Sequence, residues 1–291
     1  MITFKHILTY IWYMSNSELQ ALISLLDDPD RSIYDEVKHK LISFGDDVIP
    51  HLENAWESSF DHLLQERIED IIHHLQFDTV KRNLIDWRAT EDKDLIEGAL
   101  IIAKYQYPDL DENKVIAYID QLVQDAWLEL NENLTALEKV KVLNRIIFDI
   151  HEFHGNKKNI NSPKNSYINN VIESKKGNPI TLGIIYLAVC QKLNVPIYGV
   201  NVPAHFILTY AENGVDSLFY LNIFNRGTVF NRNDIDLFLK QLNQEPKEEY
   251  YLPCDNLTTI RRVIQHLVYT YDNLGYIDKK EELLELYHLL E

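Results

Sequence analysis

Residues able to do chemistry are scattered along this chain, and most of them fail a test of spacing. His73 and His74 are adjacent, so on a helix they point about 100° apart and cannot chelate a metal together. No cysteine or carboxylate stands at ligand spacing to them. Asp109, Asp111 and Asn113 alternate as at the start of a calcium loop, but the sixth position is Lys114 where glycine is needed and the twelfth is Asp120 rather than glutamate. They read as a solvated turn in which Asp111 or Asn113 caps the next helix. Cys190 and Cys254 cannot make a disulfide framework, and Cys190 falls within an apolar helical run. No metal and no cofactor are expected. His205, at the start of a predicted strand, is the remaining candidate.

The elements that must position it lie in GNPITLGIIYLAVCQKLNVPIYGVNVPAHFILTY, Gly177 to Tyr210. Asn178 suits an N-cap and Pro179 the first helical position, where its missing N–H leaves nothing unpaired. Ile180 to Leu193 is apolar almost all round, as in a helix buried on most sides, and Asn194 and Pro196 stop it after about four turns. Ile197 to Val200 and His205 to Tyr210 are rich in β-branched and aromatic residues, with Asn213-Gly214 as a hairpin turn before a strand over 217–222. The stretch predicts a buried helix leading into a small antiparallel sheet.

Helical spacing governs the rest. From Ser17 the chain reads as paired short helices broken at Asp28-Pro29-Asp30 and Gly45, a pattern like a HEAT repeat, and helical spacing continues over 60–75 and 79–87. Further helices are predicted over 95–105, 114–128, 135–148 and 167–173, with the loop HGNKKNINSPKNS before the last. Residues 257–291 read as two helices around Gly275-Tyr276, similar to one tetratricopeptide hairpin, although Lys280 stands where that repeat wants alanine. The N-terminal MITFKHILTYIWYM lacks a small-residue cleavage site and is too short to span a bilayer. It reads as a tucked-in helix, or as sequence ahead of a true start at Met14.

With 28 basic against 45 acidic residues the net charge is −17. Such a chain repels a phosphate backbone, so nucleic-acid binding is not expected, nor is a membrane. Sparse cysteine suits a reducing cytoplasm.

The run LNRIIFDIHEFHGNKKN, followed by NSYINNVIESKKGNPITLGIIYLAVCQKLNVPIYGVNVPAHFIL, and the upstream EGALIIAKYQYPDLD resemble the bacterial transglutaminase-like family, in which that core is flanked by a helical region and a tetratricopeptide segment. The resemblance spans roughly residues 90–291. It implies an α+β core of papain-like ancestry, a degenerate transglutaminase or papain-like core with a small antiparallel sheet over 89–250 followed by a tetratricopeptide-like helical hairpin over 251–291; with the HEAT-like helical lobe over 1–88, which rests on the helical pattern alone, the whole reads as an α+β fold, mostly α. Active members of the wider superfamily carry a Cys-His-Asp triad, with the cysteine at the start of the buried helix. By that resemblance Pro179 holds the nucleophile position, His205 matches the histidine, and Asn222 stands where aspartate is expected.

Two readings follow. The first is a non-catalytic interaction protein that binds a protein or peptide in the old substrate cleft. The second is a hydrolase or acyltransferase in which the Thr181 hydroxyl is activated by His205 and Asn222; there a secondary hydroxyl without an orienting carboxylate is poorly activated. In the first reading Thr181 fills a surface or capping role and His205 is a half-buried strand histidine hydrogen-bonded to Asn222. Cys190 cannot replace the nucleophile, because it lies three turns down the helix, about 16 Å from Pro179.

Overall fold

The computed structural model describes residues 17–212, 214 and 216–291. The N-terminal apolar run and Asn213 of the expected hairpin turn lie outside these residues. The fold is α+β and mostly helical, and the chain divides into two compact units, residues 1–82 and 83–291.

The described part of the first unit contains helices and turns only: α1 (residues 17–23), α2 (Arg31–Ile42), α3 (Ile49–Ser58) and most of α4 (His62–Ala89). The Asp30 side chain caps α2 by accepting from Ser32 N at 2.9 Å, and Gly45 at φ +71° carries the chain into a short 3₁₀ turn ahead of α3. Leu26, Leu41, Leu52, Ile68 and Ile71 form its core. The two helical stretches expected over 60–75 and 79–87 are one helix. Gln76-Phe77-Asp78 holds no proline or glycine, so nothing interrupts the hydrogen-bond ladder.

In the second unit Asp94 caps α5 (Leu95–Gln106) and Asp111 caps α6 (Glu112–Trp127), each accepting a backbone N–H of the first turn. The DLDEN turn is therefore a helix cap. Thr135 and Glu138 form a capping box on α7 (Ala136–Asn144). The helix expected to run to Phe148 changes at Arg145 into a π-helical turn, Arg145–Ile150, closed by His151 N donating to the Ile146 carbonyl at 2.9 Å. The wider turn keeps Ile146, Ile147 and Phe148 all buried. α8 is Ile168–Ser174.

α9, Pro179–Lys192, is the apolar centre: every residue from Ile180 to Cys190 is buried. It packs on β3 (Ile197–Val202) and β4 (His205–Tyr210) and on the 3₁₀ turn Ile223–Asn225. The sheet continues antiparallel through β5 (Phe219–Asn222) to β6 (Thr228–Phe230), in the order β3-β4-β5-β6. A parallel two-residue pair, β1 (His154–Gly155) with β2 (Lys176–Gly177), stands before α9. The far side of the sheet is covered by α10 (Arg232–Gln241). Sequence reading passed over both β6 and α10, although Asn231 and Asp234 spell a capping box for α10.

α11 (Asn256–Leu274) and α12 (Ile277–Leu289) form the expected hairpin around Gly275, whose φ of +78° ends α11 in the left-handed conformation. α11 also packs on α5, α9 and β3. Among the described residues, no helix is long and apolar enough to cross a membrane.

Candidate functional site

The helix start carries three of the features read from sequence. Asn178 caps α9, its Oδ1 accepting from Thr181 N at 2.8 Å, and Pro179 stands at the first helical position. Thr181 does not occupy a surface position as expected. It is fully buried, and its hydroxyl has no hydrogen-bond partner. A buried hydroxyl left unbonded costs about 1–3 kcal/mol and has no base to activate it.

Around the cap runs an asparagine network that sequence reading missed. Asn178 Nδ2 donates to Ser166 Oγ at 2.9 Å, and Ser166 Oγ lies 3.1 Å from His266 Nδ1 on α11. The buried Asn165 donates to the Asn159 and Ile160 carbonyls and accepts from Asn156 Nδ2, while its own carbonyl receives Asn178 N. Its signal was the density of asparagines in the 154–166 loop, which favours side-chain to backbone bonding over regular structure. Burial first, and the Arg262 charge second, lower the His266 pKa from 6.5 to about 4. It is therefore neutral at pH 7.

The sheet decides where His205 goes. Side chains alternate along a strand. Phe206 and Leu208 turn toward α9, where a Cβ on Gly183 would sit 2.9 Å from the Phe206 ring. His205 and Ile207 turn the other way, toward α10, and the His205 ring lies 5.5 Å from that of Phe238. There His205 and Asn222 line one cavity of about 340 Å³ with Thr228, Phe230, Asp234 and Phe238. The structure thus brings His205 and Asn222 together, and leaves Thr181 on the helix that packs against the opposite face.

The expected hydrogen bond between His205 and Asn222 is not formed. Asn222 Oδ1 instead accepts from Asn225 N at 3.1 Å, capping the 3₁₀ turn after β5. Burial, and then the charge of Arg262, hold the His205 pKa below the usual histidine value. The cavity pairs a neutral imidazole and an amide with aromatic walls and one carboxylate, Asp234, whose Oδ2 is engaged by Asn231 N. Such a lining can hydrogen-bond a polar backbone or side chain; its one hydroxyl, that of Thr228, donates to the Asn225 carbonyl at 2.6 Å and accepts from Asn225 Nδ2 at 3.1 Å.

Two more polar groups fix the surroundings. Asn144 donates to the Gly227 carbonyl at 3.0 Å and accepts from Tyr186 at 3.1 Å. Gly227, at φ +69°, leaves no room for a side chain, since its Cβ would stand 2.0 Å from Asn144 Oδ1. Past the π-helical turn, His151 lies 2.8 Å from the Tyr118 hydroxyl and 2.8 Å from Asp125, tying that turn to α6. Cys190 is buried, and burial pushes its thiol pKa up, which makes it inert.

A family model described as the transglutaminase-like superfamily matches residues 113–265. A UPF0162 protein of Xylella fastidiosa (strain 9a5c) is 29% identical over 191 residues, which cover 64% of this chain and 67% of the relative. A second UPF0162 protein, of Vibrio cholerae, is 26% identical over 172 residues, or 58% of this chain and 63% of the relative. F-box only protein 21 of Homo sapiens is 24% identical over 251 residues, 76% of this chain but only 38% of that longer protein. No solved structure matches the chain.

Proposed function

The chain belongs to the transglutaminase-like superfamily, and from that premise we propose that it is a non-catalytic interaction protein that holds a peptide segment of a partner in the cavity beside His205 and Asn222. One observation carries this reading. The start of α9, where the superfamily's thiolate stands, presents Pro179, a saturated ring with no lone pair to offer, and the hydroxyl two positions on, Thr181, is buried and unbonded. In this reading the helical lobe before the core and the tetratricopeptide-like hairpin α11–α12 add recognition surface. The protein works in the cytoplasm, to which its two unpaired cysteines are suited. The hydrolase built on Thr181, His205 and Asn222 lacks the Thr181 to His205 hydrogen bond that it needs.

Ammonia release from a glutamine peptide tests the proposal. The purified chain should give none above buffer, and Thr181→Val should leave that result and the fold unchanged. His205→Ala should weaken retention of the partner captured from the chain's own cytoplasm. Turnover by the parent that is abolished in Thr181→Val or His205→Ala would overturn the proposal in favour of the hydrolase.

A further inference from the structure

The β3–β4 turn separates two cavities. Val202 pairs with His205, so Pro203 and Ala204 form a two-residue turn. Ala204 is held at φ +57°, where glycine is the easy occupant. Val202 lines the His205 cavity. Asn201 alternates with it and lines a second cavity, of about 270 Å³, that opens between this strand end and α11.

From α11 this second cavity receives Thr258, Arg261, Arg262 and Gln265, the i, i+3, i+4, i+7 stripe of one helix face. On a packed helix that stripe is normally apolar, and α11 does bury Ile260, Val263, Ile264 and Leu267 on its other side. Arg262 is largely buried, and burial lowers its pKa. Its guanidinium donates to Gln265 Oε1 at 2.9 Å and to the Val202 carbonyl at 3.4 Å, and no carboxylate among the described residues pairs with it. Arg261 donates to the Tyr287 hydroxyl at 3.2 Å and lies 3.9 Å from Glu291. Its Nε, like Oδ1 of Asn201, is buried without a partner. No aspartate or glutamate lines the cavity, although the chain carries 45 of them. A desolvated cation without a counterion is costly, and such a group in a cleft marks a site that something else completes.

We propose that this cavity binds a phosphate monoester, its dianionic group held between the guanidiniums of Arg262 and Arg261, with Asn201, Gln265 and Thr258 supplying the remaining hydrogen bonds. Two adjacent forked cations match a dianion with three free oxygens, whereas a single carboxylate fills one fork. The volume exceeds what a bare phosphate needs, and Tyr250 on its wall offers a ring to the esterified group. The site is independent of the peptide-binding reading, since none of its donors lines the His205 cavity.

Thermal melts of the full chain test it, with inorganic phosphate, glycerol phosphate and acetate compared at constant ionic strength. Both phosphates should raise Tm saturably, glycerol phosphate at the lower concentration, and acetate should not. Arg262→Gln should weaken the half-saturating concentration at least tenfold. Asn201→Asp, which keeps the shape and sets a carboxylate beside the arginines, should do the same while retaining the parent's circular dichroism, so it reports even if Arg262→Gln fails to fold. A parent that shows no saturable response to either phosphate, an equal response to acetate, or parent-like phosphate binding by Asn201→Asp would overturn the proposal.

Discussion

His266 shows how one buried side chain makes the fold sensitive to pH. Its pKa is 6.5 in the ordinary state and about 4 in the fold, lowered by burial and then by Arg262. Between those values the unfolded chain binds the extra proton, so stability rises with pH in that window. The contribution is fully present above about pH 6.5 and is lost as the pH falls toward 4. A group with this shift costs about 2 kcal/mol between pH 7 and pH 5. His205, shifted the same way, adds to the loss. Urea midpoints measured across that range should fall accordingly, and His266→Gln should flatten the dependence. The histidine count was plain in the sequence, but the pairing of His266 with Ser166, exactly one hundred positions away, was not. Local pattern carries no information about which distant loop a helix face will meet.

At the scale of elements, the contact between α9 and the sheet depends on two glycines that clasp one ring. A Cβ on Gly183 would stand 2.9 Å from Phe206, and one on Gly199 would stand 2.7 Å from the same ring, so the ring cannot retreat from either. Gly183→Ala gains roughly 1 kcal/mol of helix propensity but meets an overpacking cost of about 1–3 kcal/mol. The expected outcome is a net loss of about 1 kcal/mol, read from chemical denaturation; a more stable variant would show that Phe206 has somewhere to go. The limits of α9 were legible because cap, proline and apolar run agree. The π-helical turn was not, because its apolar residues satisfy a helical period and only packing selects the wider ladder. The pleat was also decisive for the site. His205 and Asn222 were both named from sequence, yet the face on which each points follows from strand register, which Gly183 and Phe206 fix in three dimensions.

For the whole molecule, the polar, largely exposed segment 89–94, read from sequence as a linker, lies just inside the second unit, past the division at 82/83 within α4. Limited proteolysis should cut there before it cuts 177–222; first cleavage inside the core would count against it. Acidic composition and helical lobes were readable from the chain as written, whereas the packing of α11 against α5, α9 and β3 was not, since nothing in a helix's own sequence names its neighbours. That packing has a consequence during synthesis. The end of α9 at Lys192 and the end of α11 at Leu274 are about 80 residues apart, which a ribosome takes roughly 4 to 16 s to add. For that interval α9, the most deeply buried helix among the described residues, has emerged without one of the helices that covers it. The nascent chain thus carries a sticky intermediate whose lifetime is set by the rate of translation, and slowing elongation between these two helices should increase its capture by chaperones.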